Sequence, residues 1–153
     1  MTAAINDATT LASWLVEQAP DAIIFADREG CVRLWNPAAE ALFGFHASAV
    51  QGQRLDFMIP EKLRAAHWRG FEAAMQTGDT RHHGKALPTK ALCADGRQIY
   101  VSMSFGIVRD QAGQVIGSLA QARDITEAYL KERDEKARLK QLEQQLADKG
   151  GAQ

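Results

Sequence analysis

The spacing of apolar residues switches along the chain between helical and alternating, and each switch marks an element. Leu11, Trp14 and Leu15 recur at helical spacing between Asp7 and Gln18, which predicts a short amphipathic helix with Asp7 or Thr9 as its N-cap. Pro20 ends it. Ala22–Ala26 and Cys31–Trp35 read as two strands around the tight turn Asp27-Arg28-Glu29-Gly30, together a hairpin. Asn36 then caps a short helix in which Pro37 takes the first position, Ala38, Ala41, Leu42 and Phe43 supply the buried side, and Gly44 stops it. A further helical turn, Ala47 to Val50, ends at Gly52.

The stretch Ile59 to Gly78 reads as one longer helix, with Pro60 in its first turn and Gly78 as its stop. Leu63, His67, Gly70, Phe71, Ala74 and Met75 share one stripe, while Lys62, Arg69, Glu72 and Gln76 take the other side. Three strand-like runs follow, His82 to Cys93, Gln98 to Val108 and Gln114 to Arg123, separated by the turns Ala94-Asp95-Gly96 and Asp110 to Gly113. Pro88 places the first of them at a sheet edge or at a bulge. The order predicts an α+β domain, a five-stranded antiparallel sheet with its helices on one side. Such layering leaves a cavity between the sheet and the long helix.

From Asp124 onward charge dominates, and residues 127–149 read as a solvated helix. Ile125, Leu139 and Leu146 fall in one heptad column, Ala128 and Leu142 in another, and Glu132 and Glu135 interrupt both. That spacing predicts pairing with a second copy, hence a homodimer. The chain divides into a flanking helical segment 1–20, a core domain 21–126, the C-terminal helix 127–149 and a disordered end 150–153. Trp14 of the first helix is expected on the same sheet face as the dimer contact.

Composition removes several functional classes. A net charge of -1 and a pI near 6.4 give no electrostatic footprint for nucleic acid or an anionic membrane. The longest apolar runs, such as Ala22 to Ala26, are too short to span a bilayer, and Met1 to Asp7 lacks the start of a signal peptide. A cytoplasmic location is expected. Cys31 and Cys93 lie far apart without a CxxC, so they are expected as core or strand residues rather than as a disulfide or zinc site. No paired carboxylates, phosphate-cradling loop or nucleophile beside a histidine mark an enzyme.

His67 is then the residue of interest, because a histidine centred on an apolar stripe is either a hydrogen-bonded core residue or a ligand to something held in the core. Four motifs bear on that choice: Ala19-Pro20-Asp21-Ala22-Ile23, Trp35-Asn36-Pro37-Ala38-Ala39-Glu40 running on to Phe43-Gly44-Phe45, Asp95-Gly96, and Arg123-Asp124-Ile125-Thr126. With these in order, the chain from about Leu11 to Glu127 resembles a PAS sensory domain. Its central helix is similar to that of the oxygen-sensing haem-PAS branch, where Ile-Pro and Arg-x-x precede the proximal histidine and an Asp-Gly turn follows. Ile59-Pro60, Arg64-Ala65-Ala66-His67 and Asp95-Gly96 match that spacing without a gap.

The resemblance implies haem b with His67 as the iron ligand and a sixth position left for a diatomic gas. Gly70 and Phe71 would flank the ligand on the helix, and Ile99, Met103 and Phe105 would line the opposing sheet. The branch places an Arg or a Met on the strand after the helix, at positions where this chain has Lys85 and Leu87. Without a charged donor at Leu87, carbon monoxide or nitric oxide would compete better than dioxygen. His83 shares strand parity with Lys85 and Leu87 and is a candidate second iron ligand, the alternative for His82-His83 being an exposed edge pair. A flavin photosensor of the superfamily needs a reactive cysteine on a helix, which this chain lacks. Two functions stay open. One is a sensor that binds a ligand or cofactor and relays its state through the C-terminal helix to a downstream signalling protein or effector domain. The other is a cofactor-free dimerisation and transmission module, or a holder of a small organic ligand, with His67 satisfied in the core.

Overall fold

Alternating apolar positions on five strands demand one covered sheet face, and the strands supply it. In the computed structural model, which describes residues 5–152, α1 (Ala8–Gln18) is followed by β1 (Ala22–Asp27) and β2 (Val32–Trp35). Then come α2 (Pro37–Phe43), α3 (Ala47–Val50), a 3-10 turn (Leu55–Met58) and α4 (Glu61–Thr77). Strands β3 (Leu87–Leu92), β4 (Gln98–Arg109) and β5 (Val115–Asp124) lead into α5 (Thr126–Gly150). The sheet is antiparallel throughout in the order β2-β1-β5-β4-β3. Pro88 thus sits on an edge strand, the place in a sheet where a missing amide is tolerated.

Ala22, Ile24 and Ala26 of β1, Ile99, Val101 and Met103 of β4, and Ala120 and Ala122 of β5 turn to the covered face. Phe43, Val50, Leu55 and Met58 descend on it from the short helices, with Trp35 packed against Phe43, Phe45 and Phe57. Cys93 is buried there, and Cys31 lies half-buried at an isolated bridge to Arg54. Neither is in a disulfide.

Asn36 joins three elements with one buried amide. Its Oδ1 accepts from Ile23 N at 2.8 Å and, as the α2 N-cap, from Ala39 N at 3.0 Å. Its Nδ2 donates to Val16 O at 3.0 Å and Asp21 O at 3.1 Å, fastening the end of α1. A buried amide with all these bonds made is specific as well as stabilising, because each lost bond would leave a desolvated partner.

Three expectations need correction. His82 to Ala86 are not strand: a turn occupies 81–84, with His83 at φ 49 and Gly84 at φ 77, and β3 starts only at Leu87. Two successive left-handed residues cannot continue a pleat, so strand parity says nothing about His83. The C-terminal helix does not end before a disordered 150–153; it runs through Gly150, and Gly151 is its C-cap, Gln153 and Met1–Ala4 lying outside the described residues. Finally, α1 lies beside α2 and β2, and Trp14 and Leu15 stay exposed at 42% and 62% rather than packing on the sheet.

Candidate ligand cavity

Small residues face small residues where α4 crosses the sheet. The helix offers Ala66, Gly70 and Ala74, and the sheet offers Ala26, Ala91, Ser118 and Ala120. Neither wall can reach the other, so a cavity of about 390 Å³ remains, partly open to solvent and within the size range of small-molecule sites. Leu55, Met58, Ile59 and Met103 make its walls apolar. Only Met75 of α4 is fully buried. A Cβ at Gly70 would meet nothing within 4 Å, so the room there belongs to the chamber and not to that glycine alone.

Helix α4 is held off the sheet at two points. Trp68 donates from Nε1 to Asp56 Oδ1 at 2.7 Å, lies under the Arg54 guanidinium at 3.9 Å, and rests on Gly30 so closely that a Cβ there would collide with its ring. At the far end Arg109 Nη2 donates to Gly78 O at 3.0 Å, and Gly78, at φ 72, closes the helix in the left-handed conformation. Between these fastenings stands His67. Its ring meets Trp68 edge-on at 4.7 Å and stacks on Phe71 at 6.1 Å.

The His67 Nδ1 is buried and has no hydrogen-bond partner, alone in this among the described buried side-chain atoms. Desolvation pulls its pKa below the ordinary 6.5, with Arg54 acting the same way and Asp56 against. A neutral imidazole therefore lines an apolar chamber. Natural interiors leave few polar atoms in this state, and such an atom calls for a reason other than stability.

The structure brings His67, Gly70, Phe71, Met103 and Phe105 together around the cavity, Phe105 at its more open side. The other expected residues stand elsewhere. Ile99 is buried in the core but outside the walls, Lys85 is exposed in the loop before β3, and Leu87 pairs with Met103 at the first position of β3. Lys85 and Leu87 therefore carry no argument about gas choice. His83, expected as a candidate second ligand, is exposed, with its Nδ1 3.3 Å from Asp79 Oδ1, and does not line the cavity. Its neighbour His82 does line it, together with Thr80 and Arg81. Of these only His82 fell in a segment expected as strand, although Gly78-Asp79 and Gly84 around them are turn formers.

The exit from the sheet is tied to β4. The Thr126 hydroxyl accepts from Tyr100 N at 3.0 Å and donates to Asp124 Oδ1 at 2.6 Å, while Ile125 N donates to Tyr100 O at 2.9 Å. Tyr100 and Tyr129 stack at 4.1 Å and 20°, fixing the first turns of α5 on the outer side of the strand whose inner side carries Met103. Beyond that contact α5 exposes Leu139, Leu142 and Leu146. No helix of the described residues is long and apolar enough to cross a membrane.

A family model described as PAS fold matches residues 16–130. The sensor protein FixL of Bradyrhizobium diazoefficiens is 29% identical over 127 residues, 83% of this chain and 24% of that protein. The oxygen sensor protein DosP of Escherichia coli is 31% identical over 93 residues, 61% of this chain and 11% of that protein. The chain thus spans no more than about a quarter of the length of these curated relatives. A crystal structure of the PAS domain of a Colwellia psychrerythraea protein superposes with a TM-score of 0.69 at 20% identity, covering 79% of this chain and 99% of that one, a likeness of fold.

Replacing His67 by Leu removes an unsatisfied polar group and keeps an apolar filler, so it is expected to stabilise the guest-free protein by about 1 kcal/mol at neutral pH. The midpoint of thermal unfolding should rise by roughly 3 °C. In the unaltered protein the unfolded chain takes up the His67 proton at about 6.5, before the folded one does. Its stability should therefore fall as pH drops from that value toward the lower folded pKa, and the Leu variant should lack this decline. Urea unfolding of both proteins across that range checks it; identical pH slopes would contradict the burial of the imidazole.

Proposed function

The chain belongs to the PAS family, and on that premise we propose that it is a chemosensor whose guest is held at His67, b-type haem being the cofactor this site suits. The observation that carries the reading is the neutral, half-buried imidazole on the wall of an apolar cavity. Among the described residues no three His, Cys, Asp or Glu side chains gather to hold a bare metal ion. A haem iron, already held by its porphyrin, asks the protein for one imidazole. The similarity to an oxygen sensor protein supports the same direction. One feature departs from most ligating histidines, whose second nitrogen donates to an acceptor: no acceptor reaches Nδ1 of His67.

Bound there, haem would supply an iron with an open position for a diatomic gas. The chain's own residues do the rest. His67 holds the guest, Phe71 and Trp68 fix the plane of its ring, and Leu55, Met58 and Ile59 keep water from the chamber floor. Guest occupancy bears on Met103 and, through β4, on Tyr100, Thr126 and the angle at which α5 leaves. The shift between two exit angles can be no larger than the difference in guest affinity between them. A downstream effector reads that angle, in the cytoplasm. The role is sensory and not catalytic.

A second reading, a small organic guest in place of haem, draws on the cavity volume, which stands toward the lower end of small-molecule sites. The leucines exposed on α5 are the contact through which two copies pair in either case.

Purified protein mixed with hemin is expected to develop a Soret band distinct from that of free hemin, and His67→Ala should abolish or strongly shift it. A wild-type spectrum indistinguishable from free hemin ends the haem reading. For the dimer, sedimentation should find a lighter species when the chain is cut after Glu127; a complex that keeps two copies after the cut removes α5 as the contact.

A further inference from the structure

Helix α5 outruns the domain that carries it. Ile125, Tyr129 and Leu130 are half-buried at its base, whereas every residue from Lys131 to Gly150 is exposed. At 3.6 residues per turn, Ala128, Glu132, Glu135, Leu139, Leu142 and Leu146 form one narrow stripe along it. The stripe lies roughly a quarter of a turn from Tyr129, the residue that seats α5 on Tyr100, so the sheet does not cover it. Ala128, at its start, is already exposed.

The stripe is apolar at both ends and acidic in the middle. Its flanks are mostly basic there, with Lys131 and Arg138 on one side and Lys136, followed by Glu143, on the other. Lys136 already reaches inward, its Nζ 2.9 Å from Glu132 Oε1. Where two helices pair in parallel, each seam residue packs beside a flank residue next to its own counterpart in the other helix. Glu132 then meets Lys131 of the second copy, Glu135 meets its Lys136, and Arg138 faces its Glu143. Each acid has a base across the seam. An antiparallel pair centred on the leucines instead carries Glu132 to the far end of the other helix, and none of these pairs forms.

We propose that two copies pair in parallel along this stripe, and that the Glu132 and Glu135 layers, set against Lys131 and Lys136 of the second copy, fix the register of the pair. The proposal rests on α5 being the contact between copies and not on the nature of the guest. A seam of leucine alone would bind more tightly and slide by whole turns. A charged layer that is matched in one alignment and bare in the others gives up affinity for a single register. Both copies then present their exit helices in step.

The test exchanges the charges in the full chain. One variant carries Glu132→Lys with Glu135→Lys and the other Lys131→Glu with Lys136→Glu, so that positions 131, 132, 135 and 136 are all basic in the first and all acidic in the second. Sedimentation is expected to find each variant alone at least about tenfold weaker in self-association than the unaltered chain. An equimolar mixture should regain the dimer, and added salt should loosen it. Circular dichroism of each variant controls for folding, which substitutions at these exposed positions should not disturb. Dimers of either variant as tight as the unaltered ones, or a mixture no tighter than its parts, overturn the register. The two readings fail separately. An unaltered chain that is monomeric, or that stays dimeric when cut after Glu127, overturns the α5 contact and the register with it; a dimer lost on that cut but blind to the charge exchange overturns the register alone.

Discussion

Helix α4 cannot settle onto the sheet beneath it, and the reason is Trp68. An indole bonded to Asp56, covered by Arg54 and seated on the bare backbone of Gly30 is a spacer of fixed size, with Arg109 at Gly78 holding the other end of the helix. Between the two, Ala66, Gly70 and Ala74 look across at Ala26, Ser118 and Ala120 over a gap that none of them fills. Protein interiors normally close such gaps, because atoms lining a void forgo dispersion contacts. Larger residues at these positions would make a tighter core and abolish the chamber. The small ones give up stability for space.

On the proposed reading, His67 turns that space into a site. Its ring is confined by Trp68 and Phe71, and it lies within the influence of the same Arg54 and Asp56 that hold the spacer. A guest that pushes on the ring therefore pushes on the fastening of α4. On the opposite wall, Met103 belongs to the strand whose Tyr100 carries the exit helix through Thr126 and the Tyr129 stack. The two walls of the cavity thus lead to different ends of the domain, one to the β1–β2 turn and one to α5. Asn36 ties α1, β1 and α2 into one piece.

Much of this was legible in the sequence, for stated reasons. Period-two alternation placed all five strands, Pro88 marked an edge, and the Asn36-Pro37 and Gly78 signals bounded α2 and α4 as found. The helical stripe put His67 and Phe71 at the cavity because helix periodicity is strict over seventeen residues. What failed was the short segment before β3. His82 to Ala86 carry mixed polarity with no period, so a strand begun at His82 assigned His83 inward, whereas the φ of 49 at that residue depends on local turn geometry that polarity does not encode. Ile99 and Leu87 share the inward parity and pair with the lining residues Ala91 and Met103, yet neither lines the chamber itself, because parity fixes a face and not which of its residues border the cavity. Spacing by Trp68 could not be foreseen, since it depends on Gly30, Arg54 and Asp56 meeting through the fold.

The state of one ring decides between a built chamber and an incidental gap. Long-range nitrogen–proton NMR of the His67 imidazole, followed in the guest-free protein from about pH 8 to about pH 5, measures it directly. The account predicts a ring that stays neutral below 6.5 and whose nitrogen shifts move when hemin or a small organic guest is added. A ring that titrates at or above 6.5 and ignores every added guest would contradict it.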